Sequence, residues 1–230
     1  MRRVRQAIAE GKLFELAAFR ARGHPTLYEA FRMMLKNIDM IERYDPVANS
    51  SSLLSTGPET SLHPAILRFS RRVAQRYPFR RTETVVFVPH LGDRPFADAV
   101  QPLVSRVRTL PPDKVLLFFV TPFGVVPWEL EHVHPAQQCI FPSSLDRATL
   151  SVARDRLREF LDTLEYERAY WLSRDTATNQ LRDEVSASMQ MESFSELLEH
   201  LPEPGDTPRW QRKIAALVAF QWGLPDAEFI

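Results

Sequence analysis

The densest concentration of chemistry lies in Thr121-Pro-Phe-Gly-Val-Val-Pro-Trp-Glu-Leu-Glu131. Gly124 permits a positive φ or a close backbone approach. Pro122 and Pro127 stiffen the stretch, and Glu129 and Glu131 carry carboxylates that can hydrogen-bond a purine edge. Thr121, Gly124 and Trp128 are therefore candidate substrate-binding residues, with Glu129 and Glu131 as catalytic candidates. The competing reading is a rigid corner with Trp128 packed inside. A second constellation is His90, Asp93 and Arg94. It follows a short apolar run and precedes a helical pattern, so it falls at the carboxyl end of a strand, where open α/β sheets hold ligands and a helix N-terminus attracts anions. His90 and Asp93 are catalytic candidates and Arg94 a substrate-binding one; a solvated loop is the alternative.

Six arginines, Arg68, Arg71, Arg72, Arg76, Arg80 and Arg81, fall within 14 residues that contain no acid. On a helix, residues 68, 72 and 76 share a face and 71 adjoins it, a spacing suited to phosphates. These six are the RNA-binding candidates, against a solvated face balanced by acids elsewhere. His132, His134 and Cys139 lack a fourth ligand for structural zinc, and neither metal nor cofactor is expected. Asp155, Glu159 and Asp162 interleave with Arg154, Arg156 and Arg158, the pattern of a solvated helix face.

Elements to position these residues are legible. Leu27, Phe31, Met34, Leu35, Ile38 and Ile41 recur at helical steps within a helical segment over 1–44. Thr26 and Glu29 suggest a capping box behind the break at Gly23-His24-Pro25. Residues 45–63 are polar and turn-rich, a linker candidate, and 64–77 return to helix. Apolar runs at 84–88, 114–120, 138–141 and 169–172 read as strands. Helical patterns around Leu103, Leu157 and Leu181 alternate with them, which implies an α/β fold with a mainly parallel sheet covered on both faces. Pro202-Glu-Pro-Gly205 splits two helices in a C-terminal tail. The domain reading is 1–60, 61–188 and 189–230.

The chain has 230 residues, zero formal net charge, 25% charged and 44% hydrophobic residues. These are ordinary values for a soluble globular protein, and they exclude a wholly basic nucleic-acid binder. No apolar run reaches membrane-spanning length, and the charged start lacks the apolar core of a signal peptide. A single cysteine leaves no internal disulfide and fits a reducing, cytoplasmic setting.

Several segments, in order, resemble the archaeosine branch of tRNA-guanine transglycosylases. Residues 1–16 resemble the helix after the last zinc-ligating His of that family. His24-Pro25, Tyr44-Asp45-Pro46-Val47 and the stretch from Gly57 to Pro64 look archaeal. Thr121–Glu131, followed by Pro135, is similar to Ser-Pro-Leu-Gly-Val-Val-Pro-Arg-Glu-Leu-Glu of archaeosine synthases, and Phe220-Gln-Trp-Gly223 resembles the Tyr-Gln-Phe-Gly before their RNA-binding domain. The resemblance implies a three-layer α/β domain of uracil-DNA glycosylase-like topology with helical N- and C-terminal extensions. It also implies a place in archaeal tRNA modification, where a 7-cyano-7-deazaguanine base is inserted at position 15 and its nitrile converted toward an amidine.

Two losses bear on the chemistry. The family's nucleophile and zinc ligands lie in a barrel that would precede Met1, and no Cys-x-Cys-x-x-Cys is present. The synthase signature Pro-Cys-Ser-x-x-Lys-Pro-Tyr-x-x-Ser-x-x-His corresponds here to residues 89–102. His90, Leu91, Arg94, Phe96, Ala99 and Pro102 replace its Cys, Ser, Lys, Tyr, second Ser and His. Arg94 stays protonated and cannot stand in for an amine nucleophile. The expectation is a non-catalytic or divergent component that binds tRNA, a transglycosylase-like catalytic subunit or a second copy of itself, away from membranes. The alternative is a diverged enzyme, an amidotransferase or synthase acting on 7-deazaguanine in tRNA.

Overall fold

The structure, a computed structural model, describes residues 2–46, 52–89, 96–186, 188–206 and 209–223. The N-terminal segment folds as α1 (Arg2–Ala9), α2 (Leu13–Ala21), α3 (Pro25–Leu35) and α4 (Ile38–Glu42). Its small core holds Phe14, Ala21, Phe31, Leu35 and Ile38. Helix α3 opens on His24 rather than on Thr26. The imidazole accepts the Thr26 N–H at 3.3 Å and Pro25 takes the first helical position. Proline suits that position because its φ is already helical and its missing N–H would have had no partner.

Of the stretch read as turn-rich, residues 52–63 are described and pack against the fold. They carry β1 (Leu53–Leu54) and a 3-10 turn at Pro58–Leu62 in which Glu59, Thr60 and Ser61 are buried. Helix α5 (Pro64–Arg76) repeats the His-Pro opening, with His63 accepting the Ala65 N–H at 3.1 Å. The chain continues through β2 (Arg81–Pro89), α6 (Gln101–Val107), β3 (Val115–Thr121), β4 (Gly124–Pro127) and β5 (Cys139–Ile140). It ends with α7 (Arg147–Leu161), β6 (Glu165–Leu172), β7 (Met189–Met191), α8 (Phe194–Glu199) and α9 (Arg209–Trp222).

Five strands form one sheet in the order β4-β3-β2-β6-β7. Neighbours are parallel except β3 and β4, which make an antiparallel hairpin. The fold is thus α/β with a mixed, mainly parallel sheet. Cys139–Ile140, expected beside the other apolar strands, pairs instead with β1 in a separate parallel ribbon. The helical pattern around Leu181 is a 3-10 segment, Ala177–Glu184.

Every residue of β3 is fully buried, because its run of apolar side chains serves both faces of the sheet. Phe118 meets Phe160 of α7 at 4.9 Å and Tyr77, which follows α5, at 5.6 Å. Its neighbour Phe119 points the other way and meets Phe96 at 5.4 Å. Across the sheet, Phe118, Phe87 and Trp171 are in register, and their rings follow one another at 5.7 and 6.1 Å, tilted by 31° and 32°. On the opposite face Tyr170 stacks on His200, the residue that ends α8. Helices therefore cover both faces, giving three layers. Met191, Leu197 and Leu201 join the main core, so residues 189–201 extend the sheet and its cover. Among the described residues no helix is long and apolar enough to cross a membrane.

Candidate functional site

Thr121 ends β3, and its hydroxyl donates to the Gly124 carbonyl at 2.8 Å, closing the hairpin. Gly124 adopts φ +112°, and a Cβ there would lie 3.2 Å from Cβ of Arg156. Arg156 donates to the carbonyls of Phe123 at 3.0 Å and Ser61 at 2.5 Å, while the Ser70 hydroxyl donates to Phe123 at 3.0 Å. Burial pushes the Arg156 guanidinium down to about 10. Thr121 and Gly124 are thus seated against α5 and α7, and the backbone approach that Gly124 allows is filled by Arg156.

Beyond β4 the chain turns through Trp128-Glu129-Leu130, and three cations approach the buried indole. Arg108 and Arg212 lie 5.6 Å, and Lys213 5.9 Å, from its ring centre. Glu129 is wholly buried. One carboxylate oxygen accepts from Arg212 at 2.9 and 3.2 Å, and the other accepts the Tyr77 hydroxyl at 3.1 Å. Arg212 spends a further nitrogen on the carbonyls of Leu110 at 2.9 Å and Val107 at 3.3 Å. Burial raises the Glu129 carboxyl against the pull of Arg212, and burial together with the Glu129 charge holds the Tyr77 phenol well above its ordinary value. A carboxylate so occupied joins α9 to the sheet and has no lone pair facing outward.

Glu131 differs. Its side chain is also inaccessible to solvent, and one oxygen accepts the Ala97 N–H at 2.8 Å. Among the described residues the other oxygen has no hydrogen-bond partner, and it sits 3.5 Å from Nε2 of half-exposed His132. Burial raises the carboxyl, opposed by the Ala97 bond and by the charges of His132, Lys213 and Arg108. Lys213 is lowered by burial. A buried carboxyl with one open oxygen, beside a cation of lowered basicity, can accept a ligand N–H or hold a proton. It stands next to Ala97, just beyond residues 90–95. His90, Asp93 and Arg94 lie outside the described residues; the chain on either side of them is the end of β2 at Pro89 and the 3-10 turn Phe96–Val100.

The arginine stripe is spread over several tasks. Arg68 donates to the carbonyls of Glu42 at 2.7 Å and of Asp45 and Pro46 at 3.1 Å, where α4 ends. Arg76 donates to the carbonyls of Phe220 and Gln221 at 3.2 and 3.3 Å, where α9 ends. Arg80 reaches back to those of Ala74 and Val73 at 2.8 and 3.3 Å, where α5 ends, and to the Thr163 hydroxyl at 2.7 Å. Each therefore caps a helix C-terminus, where the last carbonyls lack intrahelical partners. Arg71 pairs with Asp39 and Glu42. Arg72 lies 5.7 Å over the Phe220 ring, and burial lowers its basicity. Arg81 is exposed at the start of β2.

His134 contacts Gln138 at 2.6 Å, Cys139 is buried, and His132 faces Glu131. Among the described residues no group of three or more His, Cys, Asp and Glu side chains is arranged to hold a metal ion. Tyr77, Arg108, Arg212 and Lys213 were not singled out in the sequence, and Arg156, expected on a solvated helix face, is instead buried against the Phe123 and Ser61 carbonyls. All five lie far along the chain from the residues they serve; the expected helix after Pro202-Glu-Pro-Gly205 did not reveal the role of Arg212.

Residues 66–199 match the family model of a domain of unknown function, DUF5591. The chain is 28% identical over 193 residues to a tRNA-guanine(15) transglycosylase of Methanocaldococcus jannaschii, covering 84% of this chain and 27% of that protein. The protein of the same description from Methanosarcina acetivorans is 31% identical over 153 residues, 66% of this chain and 27% of its own length. That from Saccharolobus solfataricus is 28% identical over 169 residues, 71% and 33%. The chain thus spans about a quarter to a third of the length of these relatives, and the resemblance read from Thr121–Glu131 is to this same group. The crystal structure of AF0587, a protein of unknown function, superposes with a TM-score of 0.50 at 17% identity, covering 69% of this chain and 58% of the other.

Proposed function

We infer, since the chain belongs to the DUF5591 family, that it serves tRNA modification as a non-catalytic, tRNA-binding module related to one part of the archaeal tRNA-guanine(15) transglycosylases. The observation that carries this reading is the alignment of 84% of the chain with a protein of that description. The loss of the synthase groups in residues 89–102 supports the non-catalytic half of it. The order of the four parallel strands, β3-β2-β6-β7, supports the uracil-DNA glycosylase-like topology. The proposal divides the chain into a helical N-terminal extension to residue 60, an α/β domain to 188 and a tail to 230, and it places the protein in the cytoplasm. Exposed Phe19, Leu27, Met33 and Met40 on α2 to α4 support docking of a transglycosylase-like subunit or a second copy.

The test is binding of the purified chain to archaeal tRNA at several salt concentrations. Salt-sensitive binding without change to a 7-deazaguanine at position 15 is the expected result. Absence of tRNA binding at low salt would end this reading.

A second reading is a diverged enzyme acting on 7-deazaguanine in tRNA, and the open oxygen of Glu131 favours it. In that case Glu131→Gln abolishes turnover of a deazaguanine-containing tRNA while leaving tRNA affinity in place. A wild-type chain that neither binds nor transforms this tRNA rejects it.

A further inference from the structure

Helices α1 and α2 form a short hairpin that turns through Gly11 at φ +65°. The hairpin brings the first turn of α1 beside the last turn of α2. Between them runs a groove of about 510 Å³ lined by Arg2, Arg3 and Arg20 and by the apolar side chains of Val4, Leu13 and Leu16. Among the described residues no carboxylate lines it. Among the described residues Arg2, Arg3 and Arg20 make no ion pair, whereas Arg68 and Arg71 of α5 are paired with acids of α4. The hairpin's own acids are turned elsewhere: Glu10 accepts from Gln6 at the far end of α1, and Glu15 faces buried His63 at 3.5 Å. Three guanidiniums thus surround one concavity whose described lining holds no acid to neutralise them.

We propose that this groove is the docking site for the phosphate backbone of RNA. The proposal rests on the tRNA-binding reading and gives it a place. Guanidinium matches phosphate in planarity and in hydrogen-bond donors. Three such groups attract a polyanion by counterion release more effectively than they attract a single carboxylate. The apolar lining supplies a surface on which a ribose or base face can rest between phosphates. The arginines of α5, which have the more suggestive spacing, are largely engaged by helix ends and acids, whereas those of the α1–α2 groove make no ion pair among the described residues.

The experiment uses the full chain carrying Arg2→Gln, Arg3→Gln and Arg20→Gln together, all at exposed positions. Its tRNA affinity is measured by fluorescence anisotropy across a salt series. Arg147→Gln with Arg168→Gln, also exposed, reports the effect of charge loss elsewhere. Removing three phosphate contacts is expected to lower the slope of log affinity against log salt by roughly 2 to 3 and affinity by at least about tenfold near 0.1 M salt. The control pair should change affinity by less than about twofold, and both variants should melt like the wild type. If the wild type binds tRNA and the groove variant matches it in affinity and slope, the groove assignment falls while the tRNA reading stands. If the wild type binds no tRNA, both fall. If the variant keeps its tRNA affinity but loses self-association seen in sedimentation of the wild type, the groove is a protein contact and the proposal is overturned.

Discussion

Glu129 is the residue at which burial and charge conflict most directly. It gains two bonds from Arg212 and one from Tyr77, yet its carboxyl is still raised by burial. A buried pair of this kind adds little over an apolar pair of equal volume, but breaking one side strands the other charge at a cost of about 3–5 kcal/mol. Glu129→Gln should therefore lower the urea unfolding free energy by about 3 kcal/mol. The double change Glu129→Met with Arg212→Met should recover most of that loss. Equal destabilisation by the single and double variants would show that the pair supplies packing rather than compensation. At Glu131 the prediction concerns pH. Its carboxyl is raised in the folded chain, so over the interval between the unfolded and folded values the folded state binds more protons. Stability must then fall as pH rises through that interval and stay lower above it. Glu131→Gln, which keeps an oxygen for the Ala97 N–H, removes this contribution. Its stability should match that of the wild type in acid and exceed it at neutral pH in urea titrations run from roughly pH 4 to pH 8. A variant that tracks the wild type across that range would count against a raised carboxyl.

At the scale of elements, arginines on α5 and just after it fasten three helix ends. Arg68→Met keeps the stem's packing but removes three bonds to carbonyls around the end of α4. Hydrogen bonds from charged donors contribute about 1.5–3 kcal/mol each when their loss leaves partners unsatisfied. Partial access of water to these carbonyls puts the expected loss at about 2 kcal/mol in total. Hydrogen exchange should show the increase in rate confined to residues 38–46. Sequence could not separate this capping role from phosphate binding, because an arginine on a helix's polar face looks the same in either case and carbonyls leave no mark in composition. β2 and β3 were legible for the opposite reason: unbroken apolar runs encode burial on two faces. β7 was not, since Met189-Gln-Met191 is too short for a pattern and is a strand only because β6 offers an edge. Gly124 was legible as a special position, but not its neighbour. Gly124→Ala should cost about 1–3 kcal/mol in backbone strain, with the Arg156 stem forced to move as well. A thermal melt unchanged within error would mean the hairpin relaxes freely.

At the scale of the molecule, the α/β class and the alternation of strands and helices followed from sequence pattern, while the links that close the fold did not. Those links converge on α9. Arg212 ties it to Glu129 after β4 and to the carbonyls of Val107, which ends α6, and Leu110. Arg76 ties α5 to its last turn, and Ala216 and Phe220 enter the main core. A chain ending at Gly205 would lose all of these together. It would leave the Glu129 carboxylate without its cation, at up to about 3–5 kcal/mol to the extent that the turn stays closed to water, and uncover the face of Trp128. Against a whole-domain stability of about 5–15 kcal/mol, that loss is large enough to remove cooperative folding. The truncated chain should therefore lose its near-ultraviolet circular dichroism and its sharp melting transition. Two causes are separable within the same truncation. If the stranded charge dominates, adding Glu129→Met should restore a cooperative melt, because an apolar side chain no longer needs Arg212. If lost apolar cover dominates, the melt should stay broad in both. A truncated chain that melts within a few degrees of the full one would show that α9 rests on the fold without holding it together.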